Sequence, residues 1–208
     1  MENLDKEKIS LKNSFERLVL NLSKLPAIGN KTASRLAAYI IKSEKNFCEE
    51  LSESIISARN NITFCKICGC YAESELCVFC ENGGRDTSVI CVVEEPLDVW
   101  PIEKTGCFRG LFHILMGVIS INKGVSPGDL NITSLLKRIR DNKIKELIFA
   151  MNPTLDGEST SLYLKKKIFE IAPDLKISRL AMGLPAGSLL EYADRETLSK
   201  SLNNRVNL

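Results

Sequence analysis

Four cysteines in two closely spaced pairs are the residues whose types and spacing most directly indicate chemistry. Cys65 and Cys68 form one Cys-x-x-Cys pair, Cys77 and Cys80 form a second, and eight residues separate the pairs. Each such turn directs two thiolates at one point, so two turns can complete a tetrahedron around Zn²⁺. Four protein ligands leave no open position on the metal. We therefore predict one structural zinc ion and no catalytic metal at this site.

The alternative for these residues is a cluster of free or disulfide-bonded cysteines. The first residues of the chain lack the apolar core of a signal peptide, which favours a reducing, cytoplasmic location and metal over disulfide. Cys70 stands outside both pairs, so we expect it to be no ligand. Gly69 supplies the backbone freedom that a tight thiolate-binding turn needs.

The composition is that of a globular protein. The chain has 208 residues, 44% of them hydrophobic and 26% charged, enough for one large domain or for a small and a medium one. No apolar run approaches the roughly 20 residues needed to span a bilayer, so no membrane partner is expected. Residues 1–47 carry nine Lys or Arg and five acidic residues, a net charge of +4. This basic end is where a polyanion would be expected to bind.

Within the basic end, the spacing of apolar residues predicts amphipathic helices over about 9–23 and 31–43, and a third from about residue 46. Pro26 ends the first helix, and Gly29 permits a sharp turn before Asn30, a good N-cap. We expect the third helix to pack three apolar side chains into a core: Leu51, Ile55 and Ile56.

The turn between the first two helices resembles the helix-hairpin-helix motif of DNA-binding proteins, because residues 25–33 read Leu-Pro-x-Ile-Gly-x-Lys-x-Ala. Such a hairpin aims unpaired backbone N–H groups at a phosphate, with the helix dipole behind them. Lys31 and Arg35, one turn apart, would add sequence-independent phosphate contacts, and Lys24 and Gly29 complete the predicted DNA-binding set. The alternative is an ordinary helical hairpin with a Pro-Gly turn.

From residue 87 onward, short β-branched runs alternate with amphipathic segments. Strands are predicted at 88–94, 145–151 and 175–181, and helices at 97–104, 132–140, 157–171 and 193–202, with a further apolar stretch at 110–117. This alternation predicts an α/β fold with a mostly parallel sheet. Functional residues gather at the carboxyl ends of the strands in such sheets.

Two of those strand ends carry polar groups and resemble the Toprim fold, which holds Mg²⁺ with a Glu after one strand and an Asp-x-Asp-x-x-Gly motif after a later one. Glu94 and Gly157 match the first and last positions, but Asn152 and Thr154 occupy the two aspartate positions. Mg²⁺ requires carboxylates or phosphates, so we predict no catalytic metal site. The competing class is a Mg²⁺-dependent Toprim nuclease or primase-like enzyme that uses Glu94, Asp156 and Glu158.

The single histidine, His113, has no recognisable nucleophile motif near it, and a structural role is predicted.

Taken together, the motifs resemble the bacterial RecR family of recombination mediators over nearly the whole chain. The resemblance adds four segments to the hairpin and the cysteines: 109–115, 152–160, 179–187 and 191–198, with Arg205 at the end. It implies a helix-hairpin-helix domain (1–64), a four-cysteine zinc finger (65–80), a Toprim domain (88–184) and a C-terminal tail with an oligomer contact (185–208).

The resemblance also implies a function. A RecR-like protein would be a non-catalytic factor of recombinational DNA repair, associated with the nucleoid, that clamps single- or double-stranded DNA as a dimer or tetrameric ring. It would act with RecO and RecF to load recombinase at gapped or single-stranded DNA. The acidic residues Glu94, Asp156 and Glu158 would then face a partner protein.

Overall fold

A computed structural model describes residues 14–141 and 143–205 and divides the chain into two compact units, Met1–Asn61 and Ile62–Leu208. Within the described residues, no helix is both long and apolar enough to cross a membrane.

The first unit is helical. Its described elements are α1 (Ser14–Ser23), α2 (Asn30–Lys42) and α3 (Lys45–Asn61). Helix α1 packs on α2, where Ala33 and Ala37 are completely buried one turn apart. Two small side chains on one face allow two helices to approach closely, which fixes the hairpin between them. The three predicted helices are confirmed, although positions 9–13 of the first lie outside the described residues.

The prediction that α3 packs its apolar face into a core is wrong for the described residues. Leu51, Ile55 and Ile56 are all exposed, and α3 contributes no buried residue. The periodic spacing correctly predicts a helix, but it does not say whether anything covers the apolar stripe.

The second unit is an α/β layer structure. Its strands are β1 (Thr63–Phe64), β2 (Tyr71–Ala72), β3 (Asp86–Val93), β4 (Gly110–Ile114), β5 (Glu146–Phe149) and β6 (Lys176–Arg179). Four of them form a parallel sheet with strand order β4-β3-β5-β6, and the antiparallel hairpin β1-β2 precedes this sheet. The helices are α4 (Val78–Glu81), α5 (Val99–Lys104), α6 (Ile132–Asp141), α7 (Leu155–Phe169) and α8 (Arg195–Asn203).

The sheet separates two hydrophobic cores. Successive residues of a strand point to opposite faces, so Ile90 and Val92 of β3 join one core with α6 and α7. Cys91 and Val93 join the other core, which contains the cysteine finger. Burial on both faces explains why β3 reads as a continuous apolar run, and the predicted α/β fold with a parallel sheet is confirmed.

Strand β4 lies at the edge of this sheet, and several of its outward-facing backbone groups have partners from other segments. The backbone N–H of Ile114 donates to the carbonyl of Cys68 at 2.8 Å. Three side chains donate to carbonyl oxygens of the strand: Arg85 to Gly110 at 2.8 Å, Arg138 to Phe112 at 2.7 Å and Asn131 to Ile114 at 3.1 Å. The first cysteine pair is therefore joined directly to the sheet.

Candidate metal centre and nucleic-acid interface

The four paired cysteines converge. The Sγ atoms of Cys65, Cys68, Cys77 and Cys80 all lie within 4.8 Å of one another, and those of Cys68 and Cys77 are 3.5 Å apart. A zinc ion with Zn–S bonds of about 2.3 Å would place its tetrahedral sulfur ligands about 3.8 Å apart. The donor set and its spacing thus fit a tetrahedral metal ion. Within residues 14–141 and 143–205, this is the one group of three or more metal-ligating side chains that comes together.

The first pair is shaped by the turn of the β1-β2 hairpin. The N–H of Gly69 donates to the carbonyl of Cys65 at 2.9 Å, and the N–H of Cys70 approaches the Sγ of Cys68 at 3.4 Å. Gly69 has a φ of +82°, and a Cβ there would lie 3.1 Å from the Cε of Met116. Both the left-handed backbone and the close approach require glycine.

The second pair is shaped by the single turn of α4. Cys77 precedes this turn, and its carbonyl accepts hydrogen bonds from the N–H groups of Cys80 and Glu81 at 2.9 and 3.0 Å. Phe79, between the two cysteines, is buried with its ring 5.3 Å from that of Phe112. The finger therefore shares its hydrophobic core with the sheet.

Hydrogen bonds between thiols of the centre strongly shift their pKa values. The hydrogen bond between Cys68 and Cys77 lowers the pKa of Cys77 and raises the pKa of Cys68. Four thiolates in so small and buried a space need a divalent cation to balance them.

Cys70 is completely buried but lies outside the group of four. Its carbonyl accepts a hydrogen bond from the N–H of Cys65 at 2.7 Å, and hydrogen bonding to Cys77 raises the pKa of its thiol. Cys70 therefore lies beside the sulfurs of the centre.

The candidate nucleic-acid interface is the N-terminus of α2. Gly29 is the N-cap, with extended backbone and no side-chain cap, and Asn30 is the first helical residue and not the cap expected from its type. A Cβ built on Gly29 would meet nothing within 4 Å. The turn before it contains Ala27 with a φ of +62°. Residues 29–32 are all exposed, so the start of this 13-residue helix is open to solvent, as phosphate binding requires.

The basic residues predicted for this interface are exposed. Lys31 and Arg35 both project from the first two turns of α2. Lys24 is also exposed, and its Nζ donates to the Oδ1 of Asn21 at 3.1 Å. The turn between α1 and α2 is thus flanked by Lys24 on one side and by Gly29 and Lys31 on the other.

At the carboxyl ends of β3 and β5, Glu94 meets Asn152. The carboxylate of Glu94 accepts one hydrogen bond from the backbone N–H of Asn152 at 2.6 Å and one from its side-chain amide at 2.9 Å. Glu94 is only 8% exposed. Its prediction as a partner-binding residue does not fit this placement, because its charge is withdrawn from the surface and both oxygens are engaged.

The two remaining motif positions have structural roles. Thr154 is the N-cap of α7 and accepts from the N–H of Gly157 at 3.1 Å. A Cβ on Gly157 would come within 2.3 Å of the carbonyl oxygen of Asn152, so only glycine fits. The residues that could have carried a Mg²⁺ site instead hold the loop and the start of α7 together.

Asp156 and Glu158 lie in the first turn of α7 and are half-buried. Glu158 forms an ion pair with Lys200 of α8, with 3.4 Å between Oε1 and Nζ, and Lys200 also pairs with Glu196 at 2.8 Å. Glu94, Asp156 and Glu158 are not among the side chains that group closely enough for a metal in the described part of the chain.

His113 lies in a buried network with two residues that sequence reasoning missed. Its Nε2 is 2.8 Å from the carbonyl oxygen of Asn131, and its Nδ1 is 3.2 Å from the Nη1 of Arg138. A signal for Arg138 was present in the sequence, since this residue stands on the apolar face of α6 between Leu135 and Ile139.

The fold and these sites define a class of protein in which a helix-hairpin-helix unit accompanies a four-cysteine centre and a Toprim-type sheet. Residues 15–59 match the family described as RecR, helix-hairpin-helix, residues 88–181 match the Toprim domain, and residues 183–206 match the family described as RecR, C-terminal.

Similar proteins with the name Recombination protein RecR come from several bacteria. The chain is 45% identical to that of Lactococcus lactis subsp. cremoris (strain MG1363) over 192 residues, which cover 92% of this chain and 96% of the relative. It is 47% identical to that of Tropheryma whipplei (strain TW08/27) over 188 residues, or 90% of this chain and 94% of the relative. The chain belongs to the RecR family. The name that these relatives share describes a recombination protein.

Proposed function

We propose that this protein is a non-catalytic, DNA-binding mediator of recombinational DNA repair. The observation that carries the proposal is the N-terminus of α2, where the open backbone at Gly29 lies next to the exposed cations Lys31 and Arg35. Such a surface binds phosphates and has no device for reading bases, so DNA is bound independently of sequence, in single- or double-stranded form. Lys24 adds a further phosphate contact.

The metal of the four-cysteine centre is zinc in this proposal. Zn²⁺ prefers four thiolates at tetrahedral spacing, whereas cations such as Mg²⁺ prefer oxygen ligands. Zinc would supply the positive charge that lets Cys65, Cys68, Cys77 and Cys80 be ionised together. With no fifth donor and no open position, its role is structural.

The alternative, a Mg²⁺-dependent Toprim enzyme, has less support. Its metal would need several carboxylates, and Glu94 is the one acid at a motif position. The amide of Asn152 occupies the place of a second acid and donates to Glu94. The N–H donor of the Asn152 amide therefore stabilises the Glu94 carboxylate, as a bound cation would otherwise do.

The protein is proposed to act as a dimer or tetrameric ring that clamps DNA, in the cytoplasm and in association with the nucleoid. RecO and RecF are its proposed partners in loading recombinase at gapped or single-stranded DNA. Asp156 and Glu158, rather than the buried Glu94, are the proposed partner contacts. We propose one role for each segment of the chain. The helix-hairpin-helix segment 1–64 binds DNA, and 65–80 is the zinc finger. The Toprim segment 88–184 binds partner proteins, and 185–208 forms the oligomer contact.

Titration of the full-length protein with single- and double-stranded DNA at several salt concentrations tests the proposal. A variant with Lys31→Ala and Arg35→Ala should bind both DNAs more weakly and lower the slope of log affinity against log salt by about two. A matched variant with Lys42→Ala and Lys45→Ala removes the same charge from the end of α2 and the start of α3, and it should keep most of the affinity. Equal losses in the two variants would refute a specific interface at the hairpin.

A further inference from the structure

The guanidinium of Arg138 is buried next to the strand that holds the cysteine finger. Arg138 is 8% exposed, and its Nη1 donates to the carbonyl oxygen of Phe112 at 2.7 Å. An arginine cannot give up its proton inside a protein, so its burial places a full positive charge in this region. A buried charge of this kind needs compensation nearby.

His113 holds this guanidinium in place without adding a charge of its own. The Nε2 of His113 faces the carbonyl oxygen of Asn131, so this nitrogen carries a proton. The Nδ1 then accepts from Arg138, so the ring is neutral. Burial lowers the pKa of His113 to about 4, in agreement with that hydrogen-bond pattern.

The same edge of β4 connects Arg138 to the metal centre. Arg138 is bound to Phe112, and Cys68 is bound to Ile114, two residues further along the strand. Residues two apart on a strand are separated by about 7 Å. Burial lowers the pKa of Arg138, and the four paired cysteines, when ionised, oppose that lowering.

A tetrahedral zinc ion with four thiolates carries a net charge of −2. Cys65, Cys68 and Cys77 are buried, so water does little to screen this charge. We infer that Arg138 is a positioning residue of the metal centre, whose fixed positive charge stabilises the ionised thiolates and raises the affinity for zinc. The inference rests on the proposed zinc site.

Two substitutions separate the charge of Arg138 from its hydrogen bond to the strand. R138K keeps a positive charge, while R138Q keeps an N–H donor for Phe112 and removes the charge. The chain offers a matched control in Arg85, a second buried arginine that donates to the same strand edge, at Gly110. Arg85 forms a two-fold ion pair with Glu103, with both distances 2.9 Å, so R85Q removes a second buried arginine whose charge is bound by a carboxylate.

The experiment measures zinc affinity of the full-length proteins by competition with a chelator, after circular dichroism at saturating zinc shows that each variant is folded. R138Q should bind zinc about tenfold or more weakly, as expected for loss of an outer partner of a metal site. R138K and R85Q should keep most of the wild-type affinity.

Unchanged affinity in R138Q would overturn the inference, and so would equal losses in R138Q and R138K, since the shape of the guanidinium and not its charge would then matter. If R138Q does not fold even at saturating zinc, R138K decides: retained affinity supports the charge role, and a tenfold loss overturns it. Failure of the wild-type protein to bind zinc would instead refute the zinc proposal itself, before any variant is compared.

Discussion

The carboxylate of Glu94 and the amide of Asn152 form a closed pair, in which a backbone N–H and a side-chain N–H of the same residue both donate to one carboxylate. In a buried site, two donors satisfy a carboxylate that would otherwise need a cation. One amide in place of an aspartate thus converts a potential magnesium ligand into a structural link between two strand ends.

Restoring the acid should therefore harm the fold. Asn152→Asp replaces a donor with a second carboxylate facing Glu94, and we expect a loss of about 2 kcal/mol in the free energy of unfolding at pH 7. Repulsion raises the pKa of one of the two carboxyl groups above its unfolded value. The folded state then binds the extra proton, so the deficit should shrink as the pH falls towards 5. Urea denaturation at both pH values measures this.

A second substitution provides the control. Glu94→Gln combined with Asn152→Asp reverses the polarity of the pair, because the new amide can donate to the new carboxylate and its oxygen can still accept from the backbone N–H of residue 152. The double variant should recover most of the lost stability at pH 7. If it is no more stable than Asn152→Asp alone, the proposed cause of the destabilisation is incorrect.

The five cysteines of the finger should differ in their need for metal. Cys68→Ser removes a ligand and should abolish tight zinc binding and loosen the finger, since metal affinity and local folding are coupled. Cys70→Ser places a hydroxyl beside Cys77 and should keep one zinc per chain. Metal analysis of the purified proteins with thermal denaturation checks both. Zinc loss in Cys70→Ser to the same extent would show that Cys70 belongs to the ligand set.

Acid should destabilise the protein through His113. Its pKa is about 4 in the folded state against an ordinary value of 6.5, because burial disfavours the charged ring. The unfolded chain therefore binds a proton that the folded chain does not, and stability falls as the pH drops through this window. Between pH 7 and pH 5 the loss from this residue should be about 2 kcal/mol.

Urea denaturation of the wild-type protein and of His113→Gln, with zinc in excess, isolates that contribution. The variant should be less stable at pH 7 but should lose less stability on acidification. The same pH dependence in both proteins would mean that other groups, and not His113, produce it.

The acidic start of α7 should contribute to partner binding. Asp156→Asn with Glu158→Gln should weaken the binding of RecO by about three- to tenfold and reduce its salt dependence. The ion pair of Glu158 with Lys200 is partly exposed, so its loss should leave the fold intact. Glu170→Gln with Asp174→Asn, beyond the other end of the helix, provides a charge-matched control. Similar affinities for both variants would remove this surface from the proposed interface.

The sequence carries enough information for the elements and for the metal centre. Periodic apolar residues place three of the four strands of the sheet and the longer helices to within a few residues, because each buried face repeats with the period of its element. Strand β4 is visible in the sequence only as an apolar stretch, and the short helix α4 is not predicted. The spacing of Cys65, Cys68, Cys77 and Cys80 is equally direct, since few other structures need two Cys-x-x-Cys turns.

Contacts between segments distant in the sequence are not predictable in this way. The position of Arg138 on the apolar face of α6 indicates burial, but only the fold brings it to Phe112 and His113. Glu94 reads as an exposed acid after a strand, and only the fold brings it to Asn152. The apolar stripe of α3 reads as a core face, yet its exposure depends on what the rest of the chain supplies.

The hydrogen bond from Ile114 to Cys68 also has a consequence for the metal-free protein. An edge strand with bare N–H and C=O groups can pair with a strand of another molecule and so start aggregation. Here the first Cys-x-x-Cys turn covers part of that edge, and a metal ion bound by the four cysteines would stabilise the shape of this turn. Bound zinc would therefore also prevent unwanted strand pairing between molecules. Loss of zinc would then cause insolubility as well as local disorder.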